Sequence, residues 1–298
     1  MIVSAWLWAV FTIIAAASQT VRNAMQRGLT GALGTVGATH VRFLFGAPFS
    51  ILFLVGLVIA TGDALPCPDA IYWPWIIGGA LAQFLATATM LVAMQERSFV
   101  VAYAYIKTEP VQVALFGLVF LGDTLTLPMA AAILIATAGV IVMSVKPEGF
   151  TGGIKPTLIG LGSGALFAFS AVGYRGALLS LTNTNFVMAA TFTLVVGLVM
   201  QAVLLSLYLV VRDRAVMVAI MKAWRPSLFA GFMGALASLF WFLAFAIATA
   251  ASVRTLALVE VLFAQAISRF VFKQPVTPRE MTGIVLVVAG VAALVWVR

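Results

Sequence analysis

Apolar residues in this chain come in long uninterrupted runs, separated by short stretches of Gly, Pro and charge. The runs cover approximately residues 3–22, 33–60, 71–95, 98–121, 126–145, 156–179, 185–211, 227–249, 252–272 and 279–297. A helix needs about 20 apolar residues to cross the hydrocarbon core of a bilayer, and each run is long enough. None shows the strict alternation expected of a transmembrane β-strand. The pattern therefore predicts an all-α integral membrane protein with ten transmembrane helices. Turn chemistry marks the breaks: Thr61-Gly62-Asp63 and Pro66-Cys67-Pro68-Asp69 after the second run, Gly122-Asp123 after the fourth, Lys146-Pro147-Glu148-Gly149 after the fifth. No gap is long enough to hold a soluble domain.

The runs also repeat. Gly79-Ala80-Leu81-Ala82 returns as Gly234-Ala235-Leu236-Ala237, and Glu109, Thr126, Ala138, Gly139 and Val140 recur 151 positions later as Glu260, Thr277, Ala289, Gly290 and Val291. Each half then holds five spans. An odd number inverts the second half in the membrane relative to the first, an arrangement with which many secondary transporters build one central site. The predicted organisation is two inverted five-helix repeats, residues 1–147 and 148–298.

Composition adds exclusions. With 63% hydrophobic and only 9% charged residues, the chain cannot supply the charged surface of a soluble domain of this length. A net charge of +8 would suggest nucleic acid in a soluble protein. Here Lys and Arg sit mostly in short loops, where they orient helices, so no nucleic-acid partner is expected. Their distribution favours both termini outside the cytoplasm. The first run has neither a basic region before it nor a small-residue cleavage site after it, and reads as a retained span. Cys67 is the only cysteine, so no intrachain disulfide forms. No Gly-rich phosphate loop appears, His40 is the only histidine, and no cofactor is expected.

Charge inside the spans is the candidate chemistry. Lys107 and Glu109 lie midway along the fourth run, Glu260 near the middle of the ninth, His40 and Arg42 early in the second, and Arg269 late in the ninth. Burying a charge at membrane depth costs upward of about 2.5 kcal/mol, so such residues should face a cavity or a partner. Tyr103 shares a helical face with Lys107, whereas Lys107 and Glu109 are about 200° apart on a straight helix. On a straight ninth helix Arg254, Gln265 and Arg269 share a face from which Glu260 points away. Gln83 and Trp241 are candidates for the cavity wall. Pro110 cannot donate to the carbonyl of Ile106, which makes it a hinge with Thr108 placed to cap the following segment. Arg22 and Arg175 read as anchors at helix ends. A buried Glu109 or Glu260 could carry a proton or serve the scaffold. Lys107 is either substrate-directed or neutralised by a glutamate. The fifth and tenth spans lack internal charge but carry small residues seven apart, Ala132 with Gly139 and Gly283 with Gly290. Two helical turns put each pair on one face, suited to close packing on neighbours or, in a homodimer, on a second copy.

Thr108-Glu109-Pro110-Val111 and Leu258-Val259-Glu260-Val261-Leu262-Phe263 are each followed by a polar turn, Gly122-Asp123-Thr124-Leu125-Thr126 and Lys273-Gln274-Pro275-Val276-Thr277. Spans bearing Gly139-Val140 and Gly290-Val291 then close the halves. In this order the chain resembles the EamA-type transporters of the drug/metabolite transporter superfamily. The family's turn often carries Glu where this chain has Asp123 and Gln274. The resemblance implies a multi-pass protein of the cell membrane, the bacterial inner membrane, in which eight spans line a cavity and the fifth and tenth stand outside it. The combined expectation is a secondary transporter that exports a small polar or amphipathic metabolite by alternating access, driven by protons or an exchanged solute. An excess of embedded positive charge favours an anionic or zwitterionic substrate. The alternatives are a flippase of a lipid-linked group and, third, an intramembrane enzyme.

Overall fold

The computed structural model describes residues 6–96, 105–144, 154–270, 273 and 276–297. Every regular element among them is helical: α1 (Leu7–Leu44), α2 (Gly46–Thr61), α3 (Tyr72–Glu96), α4 (Glu109–Phe116) running into a π-helical turn (Gly117–Leu121), α5 (Leu127–Ser144), α6 (Ile154–Ser180), α7 (Phe186–Arg212), α8 (Arg214–Lys222), α9 (Trp224–Ile247), α10 (Ala250–Leu256), α11 (Val259–Phe270) and α12 (Pro278–Val297). Six helical stretches among the described residues are long and apolar enough to cross a membrane: Val36–Thr61, Leu127–Ser144, Thr157–Ser180, Phe186–Arg212, Trp224–Ile247 and Pro278–Val297. The ninth expected span appears as the shorter helices α10 and α11, and the described part of the fourth, from residue 105, contains α4 after a turn at Lys107–Thr108.

The chain forms two compact units, Met1–Ala80 with Tyr174–Ile247, and Leu81–Gly173 with Ala248–Arg298. Each unit draws on both halves of the sequence. The units therefore do not coincide with the expected repeats, residues 1–147 and 148–298.

In the first unit α1 packs along α9, and α2 and α9 both pack on α7. The decisive local feature is Gly34, where α1 leaves helical geometry at φ 65°, ψ 177°. A positive φ of this kind is accessible to glycine and strained for other residues. The chain folds back there: Gln26 Nε2 donates to the carbonyl of Ala38 at 2.8 Å, although twelve residues of straight helix would span about 18 Å. The sequence pattern placed the end of the first span near residue 22, but residues 23–33 remain helical up to Gly34. Arg22 is therefore inside a helix and not at its end.

In the second unit α5 lies against α12. The small residues seven apart make this contact. A Cβ added to Gly139 would stand 2.7 Å from the Val287 amide nitrogen, and one on Gly290 would stand 2.5 Å from that of Ala136. Backbone cannot retreat as a side chain can, so Gly290→Val is expected to destabilise the protein by about 1–3 kcal/mol or more. Thermal unfolding of the purified protein in detergent micelles measures this. Gly56, where an added Cβ meets nothing within 4 Å, supplies the control Gly56→Val. The small-residue faces are thus spent on each other within one chain.

Candidate functional site

Two short helices meet in the second unit, α4 against α10, and each begins or ends at a tightened turn. The Thr108 amide donates to Tyr105 O at 3.2 Å and that of Val111 to Thr108 O at 3.1 Å; the Leu258 amide donates to Thr255 O and that of Val261 to Leu258 O, both at 3.1 Å. These are i→i−3 bonds, the 3₁₀ pattern common at helix ends. Both bonds recur 150 positions on, one fewer than the offset of the sequence matches. Glu109 accordingly opens α4, while Glu260 is the second residue of α11. Pro110 occupies the first turn of α4, where a missing amide hydrogen costs nothing. The second turn has no proline, so proline is not what both breaks share. Thr108 does not cap α4 with its side chain. Its hydroxyl donates to Tyr105 O at 2.7 Å and accepts from Gln112 Nε2 at 3.1 Å.

The turns bring four charges together as two ion pairs. Arg254 binds Glu109 with both prongs of its fork, Nε to Oε1 at 2.7 Å and Nη2 to Oε2 at 2.6 Å. Lys107 pairs with Glu260. Lys107, Glu109 and Glu260 are all buried, and Lys107 also feels the charges of Arg254 and Glu109. The straight-helix expectation that Glu260 points away from the Arg254 face fails because the turn at Ala257–Leu258 re-aims everything after it. Likewise Lys107 and Glu109 flank a turn, so the 200° between them on a straight helix does not apply. Each meets its own partner from residues 254–260. Arg269 belongs to neither pair and is exposed; Gln265, on the same helix, is half-buried, as is Gln83 on α3. Tyr103 lies outside the described residues.

The remaining candidates sit in the first unit. His40 is fully buried, with Nε2 3.0 Å from Ser206 Oγ. Trp241 Nε1 donates to Gln19 Oε1 at 3.1 Å. Arg42 stacks over the Phe43 ring at 4.3 Å, and its Nε and Nη2 are buried without a hydrogen-bond partner. Beside it stands a residue that the sequence pattern places at a helix end. Arg22 is only 6% exposed, donates to Asn23 Oδ1 at 2.8 Å and is acted on by the charge of Arg42. Its surroundings in the sequence, where hydrophobicity fades after residue 22, carry no sign of this burial. Arg175, the other expected anchor, donates from Nη1 to the Phe245 carbonyl at 2.7 Å, in the last turn of α9.

The chemistry available is electrostatic. One unit holds a quartet of net zero charge, three of its members buried and Arg254 half-buried, and the other a pair of cations, Arg22 buried and Arg42 half-buried. Comparison with known proteins accords with a membrane protein. The family model described as the EamA-like transporter family matches residues 4–145. No curated protein matches the sequence. A solved structure titled "Crystal structure of protein" superposes with a TM-score of 0.73 over 97% of this chain and 99% of its own, at 15% identity. At that identity the likeness concerns the fold.

Proposed function

We propose that this chain, whose residues 4–145 match the EamA-like transporter family, is a membrane transporter of the drug/metabolite transporter superfamily and a secondary exporter of a small polar or amphipathic metabolite. The substrate is anionic or zwitterionic, the mechanism alternating access, and the setting the bacterial inner membrane. Its spans form two inverted five-helix repeats, a reading supported by the matching 3₁₀ turns at 105–111 and 255–261.

The observation that carries the proposal is the buried charge. Four ionisable side chains at two helix breaks are expensive to maintain in an apolar protein, and such residues mark substrate or ion pathways. Paired charges at discontinuous helices suit a two-state element, because the pairs can separate and re-form as the breaks flex. Glu109 and Glu260 are the groups able to take up a proton when their partner leaves, which makes proton coupling the first choice over exchange.

Proteoliposomes loaded with radiolabelled amino acids, nucleosides or organic anions test this. Efflux of an anionic or zwitterionic member of the panel, accelerated by a pH difference across the membrane, is the expected result. Efflux confined to bare cations would reject the substrate class, and insensitivity to pH together with dependence on external solute would replace proton coupling by exchange.

A further inference from the structure

The first unit contains positive charge that its own acidic residues do not neutralise. Those residues are Asp63, Asp69 and Asp213, and all three are exposed. Asp63 accepts from Asn185 Nδ2 at 2.8 Å, and Asp213 caps α8 by accepting from the Val216 amide at 3.2 Å. Arg22, by contrast, is buried, Arg42 is half-buried with its Nε and Nη2 inside, and among the described residues no carboxylate pairs with either.

Both arginine stems converge on Gly234. A Cβ there would stand 3.3 Å from Arg22 Cδ and 3.4 Å from Arg42 Cβ. In a continuous α1 the two residues would be about 30 Å apart. The fold-back at Gly34 is what assembles them, and a glycine at 234 is what lets them close in. Tyr174 stands near enough to act on the Arg42 charge. Its hydroxyl accepts from Gln201 Nε2 at 3.0 Å, which orients it, and its ring is held against Phe242 with centroids 4.7 Å apart.

Two like charges in an apolar interior, without a carboxylate, are strongly unfavourable. An anion removes that penalty. Guanidinium groups match carboxylate and phosphate oxygens in planar, two-pronged fashion, with charge-assisted bonds about twice as strong as neutral ones. The Arg42 Nε and Nη2 atoms are one side of such a fork. We propose that Arg22 and Arg42, beside Gly234, bind the carboxylate or phosphate group of a small soluble anion. This deepens the transporter reading and rests on it for the claim that the anion is cargo; the binding itself does not depend on it.

Full-length protein in neutral detergent, dialysed against radiolabelled inorganic phosphate and separately against radiolabelled succinate at constant ionic strength, gives the test. Saturable binding of at least one probe is expected. Arg42→Lys should weaken it about tenfold or more, since a charge-assisted bond and the fork geometry are lost. Arg22→Gln with Arg42→Gln should remove it. Because losing a buried arginine can unfold the protein, Gly234→Leu is measured alongside: it keeps both charges and fills the space next to them, and should also weaken binding. Wild-type protein that binds neither probe overturns the proposal, as does unchanged affinity in folded Arg42→Lys and Gly234→Leu. A response to phosphatidylglycerol but to neither soluble probe assigns a lipid headgroup and overturns the soluble anion. Binding that is lost in the variants, combined with no flux in vesicles, upholds the anion site while rejecting transport.

Discussion

Lys107→Met should abolish transport and lower stability by about 3–5 kcal/mol, and Glu260→Gln in the same chain should restore most of that stability. The Lys107–Glu260 pair is buried on both sides, with 11% and 8% of the side-chain surfaces exposed. Removing the lysine leaves a carboxylate desolvated without its counter-charge, which is the larger part of the cost. Removing both charges avoids it. Stability is read from thermal unfolding in micelles, and transport from efflux out of proteoliposomes with insertion verified. Restored stability without restored transport identifies Lys107 as part of the working mechanism. Restored stability together with normal efflux would reduce the pair to scaffold, and an Lys107→Met protein as stable as wild type would contradict the pairing itself.

Glu109→Leu is expected to have an effect of the same size, through the other pair. Arg254 loses a two-pronged partner, with bonds of 2.7 and 2.6 Å. The Glu109→Leu/Arg254→Met protein should be more stable than Glu109→Leu alone, because two apolar side chains of similar bulk avoid the unpaired cation. The two pairs should also be coupled, since Lys107 feels both Arg254 and Glu109. The destabilisations caused by Lys107→Met and Glu109→Leu should therefore depart from additivity by at least about 0.5 kcal/mol. A full set of single and double variants, unfolded under one condition, measures that departure. Strict additivity would mean two independent pairs and no quartet.

The charged residues of the quartet were conspicuous in the sequence because a charge in an apolar run is costly wherever it ends up. Which charge meets which was not. A helical projection assumes that the helix continues, and the turn at Ala257–Leu258, which has no proline or glycine, breaks that assumption. Arg254 and Glu260 therefore both reach the fourth-span residues despite facing apart on paper. Arg22 was misplaced for a related reason. It sits where strong hydrophobicity fades, which looks like a span end, yet residues 23–33 continue the helix and the reversal waits for Gly34.

By itself the sequence determined the solvent in which this protein lives, its helical class and the positions where charge or a small side chain is unusual. Those properties depend on local composition and on periods of a few residues, which any segment carries with it. Only the tertiary structure decided the pairings: Gly139 and Gly290 with the opposite helix of the same chain, Lys107 with Glu260, Arg254 with Glu109, and Arg22 beside Arg42 at Gly234. Partners far apart in sequence are chosen by where helices break and reverse. A change in the backbone angles of one residue, as at Gly34 with φ 65° and ψ 177°, moves a side chain by many ångströms, and no local pattern records where it lands.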